Sequence, residues 1–171
     1  MVIKIFNFLI SFFSKEFIII IIAGLPIVEL RGSIPLAVLK FGMSPIKAFY
    51  LSIIGNLLPI IPFLFFLDWA IDRLERLSFI GRILKWWFRN AKKKSNLIET
   101  YGFLGLILFV AMPFPGTGAW TGAVIAKLFN FRLSKSFFAI SLGILIAGII
   151  VVFSTVFADN ILTKIFLLRK I

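Results

Sequence analysis

Pro26-Ile27-Val28-Glu29-Leu30-Arg31-Gly32-Ser33-Ile34-Pro35 sets a carboxylate and a guanidinium two residues apart between two apolar runs. Phe17 to Leu25, with five consecutive isoleucines, precedes it, and Ile34 to Leu39 follows. Neither run spans a bilayer alone, which takes about 20 apolar residues. Phe17 to Phe41 is long enough, but Pro26, Glu29, Arg31-Gly32 and Pro35 break it. Two half-length helices joined by a polar, Gly/Pro-rich turn predict a re-entrant hairpin or broken helix. Such backbone is tolerated at membrane depth only where protein buries it or where it lines a cavity. A charge at the bilayer centre costs roughly 2.5–3.5 kcal/mol, so two in one short stretch are expected to serve a function.

The composition requires the membrane. Of 171 residues, 61% are hydrophobic, and mean hydropathy is +1.09. A soluble domain carries about 45–50% apolar residues. Cysteine and histidine are absent. Disulfides, thiolate metal sites and the commonest general base and metal ligand go with them. No metal, cofactor or enzymatic activity is expected. The net charge of +12 reads as a cytoplasmic face meeting anionic headgroups rather than nucleic acid.

Outward from the first break, residues 1–16 are expected to be a retained, short, interfacial or partly inserted helix; no small-residue cleavage motif follows them. Ala48 to Leu67 reads as a full span with Asn56 near its middle. Residues 68–100 read as an amphipathic surface helix with Trp86-Trp87 at headgroup level and Lys92-Lys93-Lys94 beyond. Phe103 to Met112 is a second half-length run. Pro113-Phe114-Pro115-Gly116-Thr117-Gly118-Ala119-Trp120-Thr121-Gly122 then makes a second break before Ala123 to Phe129. Ser136 to Phe157 is a second full span, and 159–171 a short basic amphipathic tail.

The halves match. A shift of 87 lays Pro26 on Pro113, Arg31 on Gly118, Pro35 on Gly122 and Lys40 on Lys127; a shift of 88 lays Lys47 on Lys135, Phe49 on Phe137 and Gly55 on Gly143. A hairpin that returns to its own side plus one span makes an odd number of crossings, so the second copy is inverted. Inverted repeats with matching broken helices point to a transport site near the midplane. The expected fold is an all-α integral membrane protein. It has an inverted repeat of re-entrant hairpin plus transmembrane helix (17–67 and 101–158), with a cytoplasmic amphipathic helix between the halves. The linker and the return from the second hairpin hold most of the Lys and Arg and are placed in the cytoplasm.

The candidate site gathers both breaks. Ser33, with Pro35 in the first turn, is expected to cap the second half-helix of hairpin one, with Gly118 or Thr117 doing so in hairpin two. Helix N-termini there would attract an anion. Arg31 adds a permanent cation with bidentate reach for phosphate. Gly32, Gly116, Gly118 and Gly122 allow close backbone approach; Thr117 and Thr121 offer hydroxyls, and Trp120 an indole N–H. Pro113 and Pro115 shape the second turn. A low dielectric favours the neutral form of Glu29, which would let it carry a proton or neutralise Arg31 until a substrate displaces it. Plainer roles compete: a Glu29–Arg31 pair that only holds the hairpin shut, a Gly118/Gly122 packing face, and a span-to-span hydrogen bond for Asn56.

Glu29-Leu30-Arg31-Gly32-Ser33-Ile34-Pro35 together with Pro113 to Gly122 resembles the small multidrug export protein family over nearly the whole chain. More distantly, the architecture is similar to the DedA/VTT group of membrane proteins. That likeness implies two re-entrant hairpins with embedded acidic and Arg residues, and proton-linked transport or scrambling of lipids, including carrier-lipid phosphates. The second hairpin departs from it by having glycines and Trp120 where an arginine is expected.

The expected function is a small transporter or flippase of the inner membrane, coupled to protons through Glu29, for an anionic phosphate-headgroup lipid or amphiphile. Efflux of hydrophobic cations, with Glu29 as counter-charge, is the alternative, and a non-transporting membrane organiser is a third. The partners implied are membrane lipids, the substrate, protons and a second copy of the chain, since two full spans alone enclose no pathway.

Overall fold

The residue before a proline is driven out of the helical region because the ring crowds its N–H and Cβ. That rule ends both half-length helices. Leu25, before Pro26, has φ −73° and ψ 134°, and Met112, before Pro113, has φ −64° and ψ 126°. The computed structural model describes residues 13–74, 100–114 and 116–168. Among them all regular structure is helical: α1 (Lys15–Gly24), α2 (Glu29–Pro35, continued by a π-helical turn Leu36–Lys40), α3 (Pro45–Leu74), α4 (Phe103–Ala111), α5 (Ala119–Leu128) and α6 (Leu133–Leu168). Most of the expected N-terminal interfacial helix and of the amphipathic linker with Trp86, Trp87 and Lys92 to Lys94 lies outside the described residues. So do Pro115 and the last three residues of the tail.

Two boundaries differ from the sequence reading. The backbone of 68–74 continues α3 instead of opening the linker, and α6 runs to Leu168 instead of ending near Phe157. No glycine or proline stands between residues 149 and 168 to stop it. Pro45–Leu67 and Leu133–Ile161 are long and apolar enough to cross a membrane. Phe153 and Phe157 stay 73% and 69% exposed, as a lipid-facing surface requires.

The chain divides into two compact units, residues 1–56 with 148–171, and residues 57–147. In the first, α1 and α2 form a hairpin against the first half of α3. Ser14 caps α1, its Oγ accepting from the Phe17 N–H at 3.3 Å. Lys47 Nζ donates to Glu16 Oε1 at 2.6 Å, and this bond holds the exposed Glu16 carboxyl below its usual range. Fully buried Ile19, Ala37 and Ala48 cluster near the open end of the hairpin. Gly55 faces α1 so closely that a Cβ there would lie 2.3 Å from the Ile20 carbonyl oxygen and 2.8 Å from the Ala23 Cβ. Small residues that let helices meet backbone to backbone are the ordinary glue of membrane helices, where lipid removes the hydrophobic drive to associate.

The second unit repeats that contact. A Cβ on Gly143 would lie 2.6 Å from Val110 Cβ and 2.9 Å from the Ile107 carbonyl oxygen. Ile20 and Ala23 map onto Ile107 and Val110 at a shift of 87, and Gly55 onto Gly143 at 88, as the sequence repeat requires. The turns into the long helices agree too. Gly42 (φ 64°) and Asn130 (φ 52°) both occupy the left-handed region at equivalent positions. Glycine and asparagine are the residues that end helices this way.

Candidate functional site

The turn that closes the first hairpin is Leu25–Val28, earlier than the sequence implies. Glu29 opens α2, with Val28 at the N-cap, and Gly32 and Pro35 lie inside the helix. Ser33 is therefore not the cap. Proline 26 had already set the break, and the helix that resumes after it needs Ser33 on its buried face. There the Ser33 hydroxyl donates to Ser52 Oγ of α3 at 2.7 Å, with both residues fully buried. Pro35 brings no N–H for the helical ladder, and the π-helical turn Leu36–Lys40 follows it directly.

Glu29 is 4% exposed and holds φ at 50°, a conformation that costs a non-glycine residue of order 1 kcal/mol. Its Oε2 accepts from Nη1 of Arg31 in a direct ion pair. The side chain of Arg31 is the more exposed of the two, 18% against 6%. Arg31 thus lies on the outer side of the pair and Glu29 on the inner side. A carboxylate in the first turn also meets the positive end of α2, so this helix end offers no free anion site.

Asn56 is fully buried, at the middle of the Pro45–Leu67 stretch. Neither Nδ2 nor Oδ1 has a hydrogen-bond partner among the described residues. The span-to-span bond expected of it is not made.

The second break is held by its own side chain. Thr117 Oγ1 lies 2.7 Å from the Met112 carbonyl and 2.8 Å from that of Phe114, and its N–H donates to Phe114 at 3.2 Å. Its hydroxyl closes the loop rather than facing a ligand, and Gly118 takes the N-cap position of α5. Gly116 has φ 77°, which suits glycine. Trp120 packs on Phe63 at 4.7 Å between ring centres, and its buried Nε1 has no hydrogen-bond partner among the described residues. Gly122 presses on Val110, 2.5 Å from where its Cβ would stand. The packing role of that glycine is therefore filled by a helix of its own hairpin. Thr121 and Pro113 flank the loop, half-buried and exposed respectively.

A model of the family described as "Putative small multi-drug export protein" matches residues 29–150, from Glu29 at the tip of the first hairpin to the middle of α6. The chain belongs to this family. No curated protein and no solved structure matched the chain. The match and the two apolar helices make this small multi-drug export family member a membrane protein, and the family's description makes it an export protein. In this family member Glu29 and Ser33 of the first hairpin are buried and Arg31 lies to the outside, whereas the second break is closed on itself by Thr117.

Proposed function

We propose that the chain is a multi-pass transporter of the inner membrane that moves an anionic amphiphile with a phosphate-type headgroup, together with a proton. The hairpins are re-entrant, and counting crossings inverts the second copy in the membrane. The observation that carries the reading is the Glu29–Arg31 pair at the hairpin tip, with Glu29 buried and Arg31 half-buried on its outer side. Only one member of such a pair can discharge. A guanidinium keeps its proton at any physiological pH, whereas a carboxyl can take one up. An anion that takes Arg31 leaves Glu29 free to become neutral. A cation that took Glu29 would leave Arg31 charged beside it, and the two like charges would repel. The anion therefore fits the chemistry of the pair better than the cation. Uptake of one anion and one proton then leaves the site with its resting charge.

Binding of a phosphate-headgroup lipid and of a lipophilic cation to purified protein, measured against pH, tests this. Anion binding should strengthen as pH falls, drop at least tenfold in Arg31→Ala, and be only partly restored by Arg31→Lys. Glu29→Gln should bind the anion tightly at every pH. If Arg31→Ala leaves binding intact while Glu29→Gln abolishes cation binding, the protein is a cation exporter instead.

A further inference from the structure

The helices α2 and α3 run antiparallel, and their contacts step in fours. Ala37 and Ala48 share one buried cluster. Four residues on along each helix, Ser33 bonds Ser52. Continued by the same step, this register pairs Glu29, the first residue of α2, with Asn56. Both are buried, at 4% and 0% exposure. A buried primary amide with both polar atoms unmatched is a costly feature. It is retained in a seam whose other polar pair, Ser33 and Ser52, is satisfied.

We infer that Asn56 is the second partner of Glu29, a positioning residue whose amide takes over the carboxyl group when Glu29 is protonated and Arg31 is released. This rests on the proposed protonation of Glu29. The chemistry sorts the two states. An ionised carboxylate only accepts hydrogen bonds, and a guanidinium only donates them. A neutral carboxyl has one donor and one acceptor, and a primary amide presents the complement, so the two close a ring of two hydrogen bonds. Asn56 Oδ1 accepts from the Glu29 O–H, and Asn56 Nδ2 donates to the Glu29 carbonyl oxygen. Arg31 matches the charged form and Asn56 the neutral form. The proton comes from water and rests on Glu29. Nothing else changes charge.

Among the described residues, the other charged groups of this unit are Lys15 and Glu16 on α1, Lys40 on the π-helical turn, Lys47 on α3, and Asp159 and Lys164 on α6. None of them is buried. Lys47 is engaged by Glu16, and α1 carries its charges in its first turn, away from the hairpin tip.

The test is infrared titration of the protonated-carboxyl band of purified, substrate-free protein, assigned by its loss in Glu29→Gln. In Asn56→Leu the midpoint should fall by about one pH unit, a tenfold loss of neutral-form stabilisation. Asn56→Gln, which keeps the amide, should restore part of the shift. A midpoint that stays within about 0.3 unit of wild type in folded Asn56→Leu overturns the inference. Should that variant not fold, the side-chain amide nitrogen resonance of Asn56 in the wild type decides: it should move with the Glu29 titration, and an unmoved resonance overturns the inference. Absence of a Glu29 band between pH 4 and 9 overturns both this inference and the proton coupling. A normal shift with no anion binding at Arg31 overturns the transport reading alone.

Discussion

Ser33 shows how a single side chain changes meaning once its neighbours are known. In the sequence it precedes a proline by two residues and looks like a helix cap. In the fold it is a fully buried donor to Ser52, nineteen residues away. No local pattern reveals that partner, because the register between α2 and α3 is a tertiary property. Asn56 was legible as the polar residue at mid-span, yet its unmatched amide was not, for the same reason. The Ser33–Ser52 bond makes a definite prediction. Ser33→Ala and Ser52→Ala should each cost about 1–3 kcal/mol by stranding a buried hydroxyl, and the double variant should cost less than their sum. Denaturation of the three variants in lipid or detergent measures this. Strict additivity would mean that the hydroxyls do not couple.

The elements were read more securely than their ends. Proline 26 and proline 113 announced both breaks, because the constraint acts on the adjacent residue and needs no tertiary context. The first break falls earlier than charges and glycine suggest, because Glu29, Arg31 and Gly32 belong to the first turns of α2. The long helices outran their apolar cores because nothing in residues 68–74 or 158–168 stops a helix. At this scale the glycines discriminate. Gly55→Ala and Gly143→Ala should each destabilise the protein by about 1–3 kcal/mol, since each new methyl meets backbone or a Cβ that cannot retreat. Gly42→Asn should be nearly neutral. Its Cβ enters open space, and Asn130 already holds the same left-handed conformation in the other copy. Gly42→Val should lower the melting temperature by several degrees through backbone strain.

For the whole molecule, the repeat was legible in the order of parts, and the structure adds the matched contacts of Gly55 and Gly143 and the matched turns at Gly42 and Asn130. The proposed inversion in the membrane is directly measurable, because the sequence has no cysteine. Single cysteines at Ser44 and Ser134, each beside the start of a long helix, should react from opposite sides of the membrane with an impermeant thiol reagent, Ser134 from the cytoplasm. Labelling of both from one side would make the copies parallel. The copies also differ in one respect that sets stoichiometry. Glu29, Ser33, Ser52 and Asn56 occupy the polar seam of the first; Gly116, Trp120, Ile140 and Ile144 stand at the corresponding positions of the second. Of these two sets of four positions, only the first carries a carboxyl group. Proton uptake linked to anion binding should therefore saturate at one equivalent per polypeptide, so in any larger assembly the number of linked protons per particle would count its subunits.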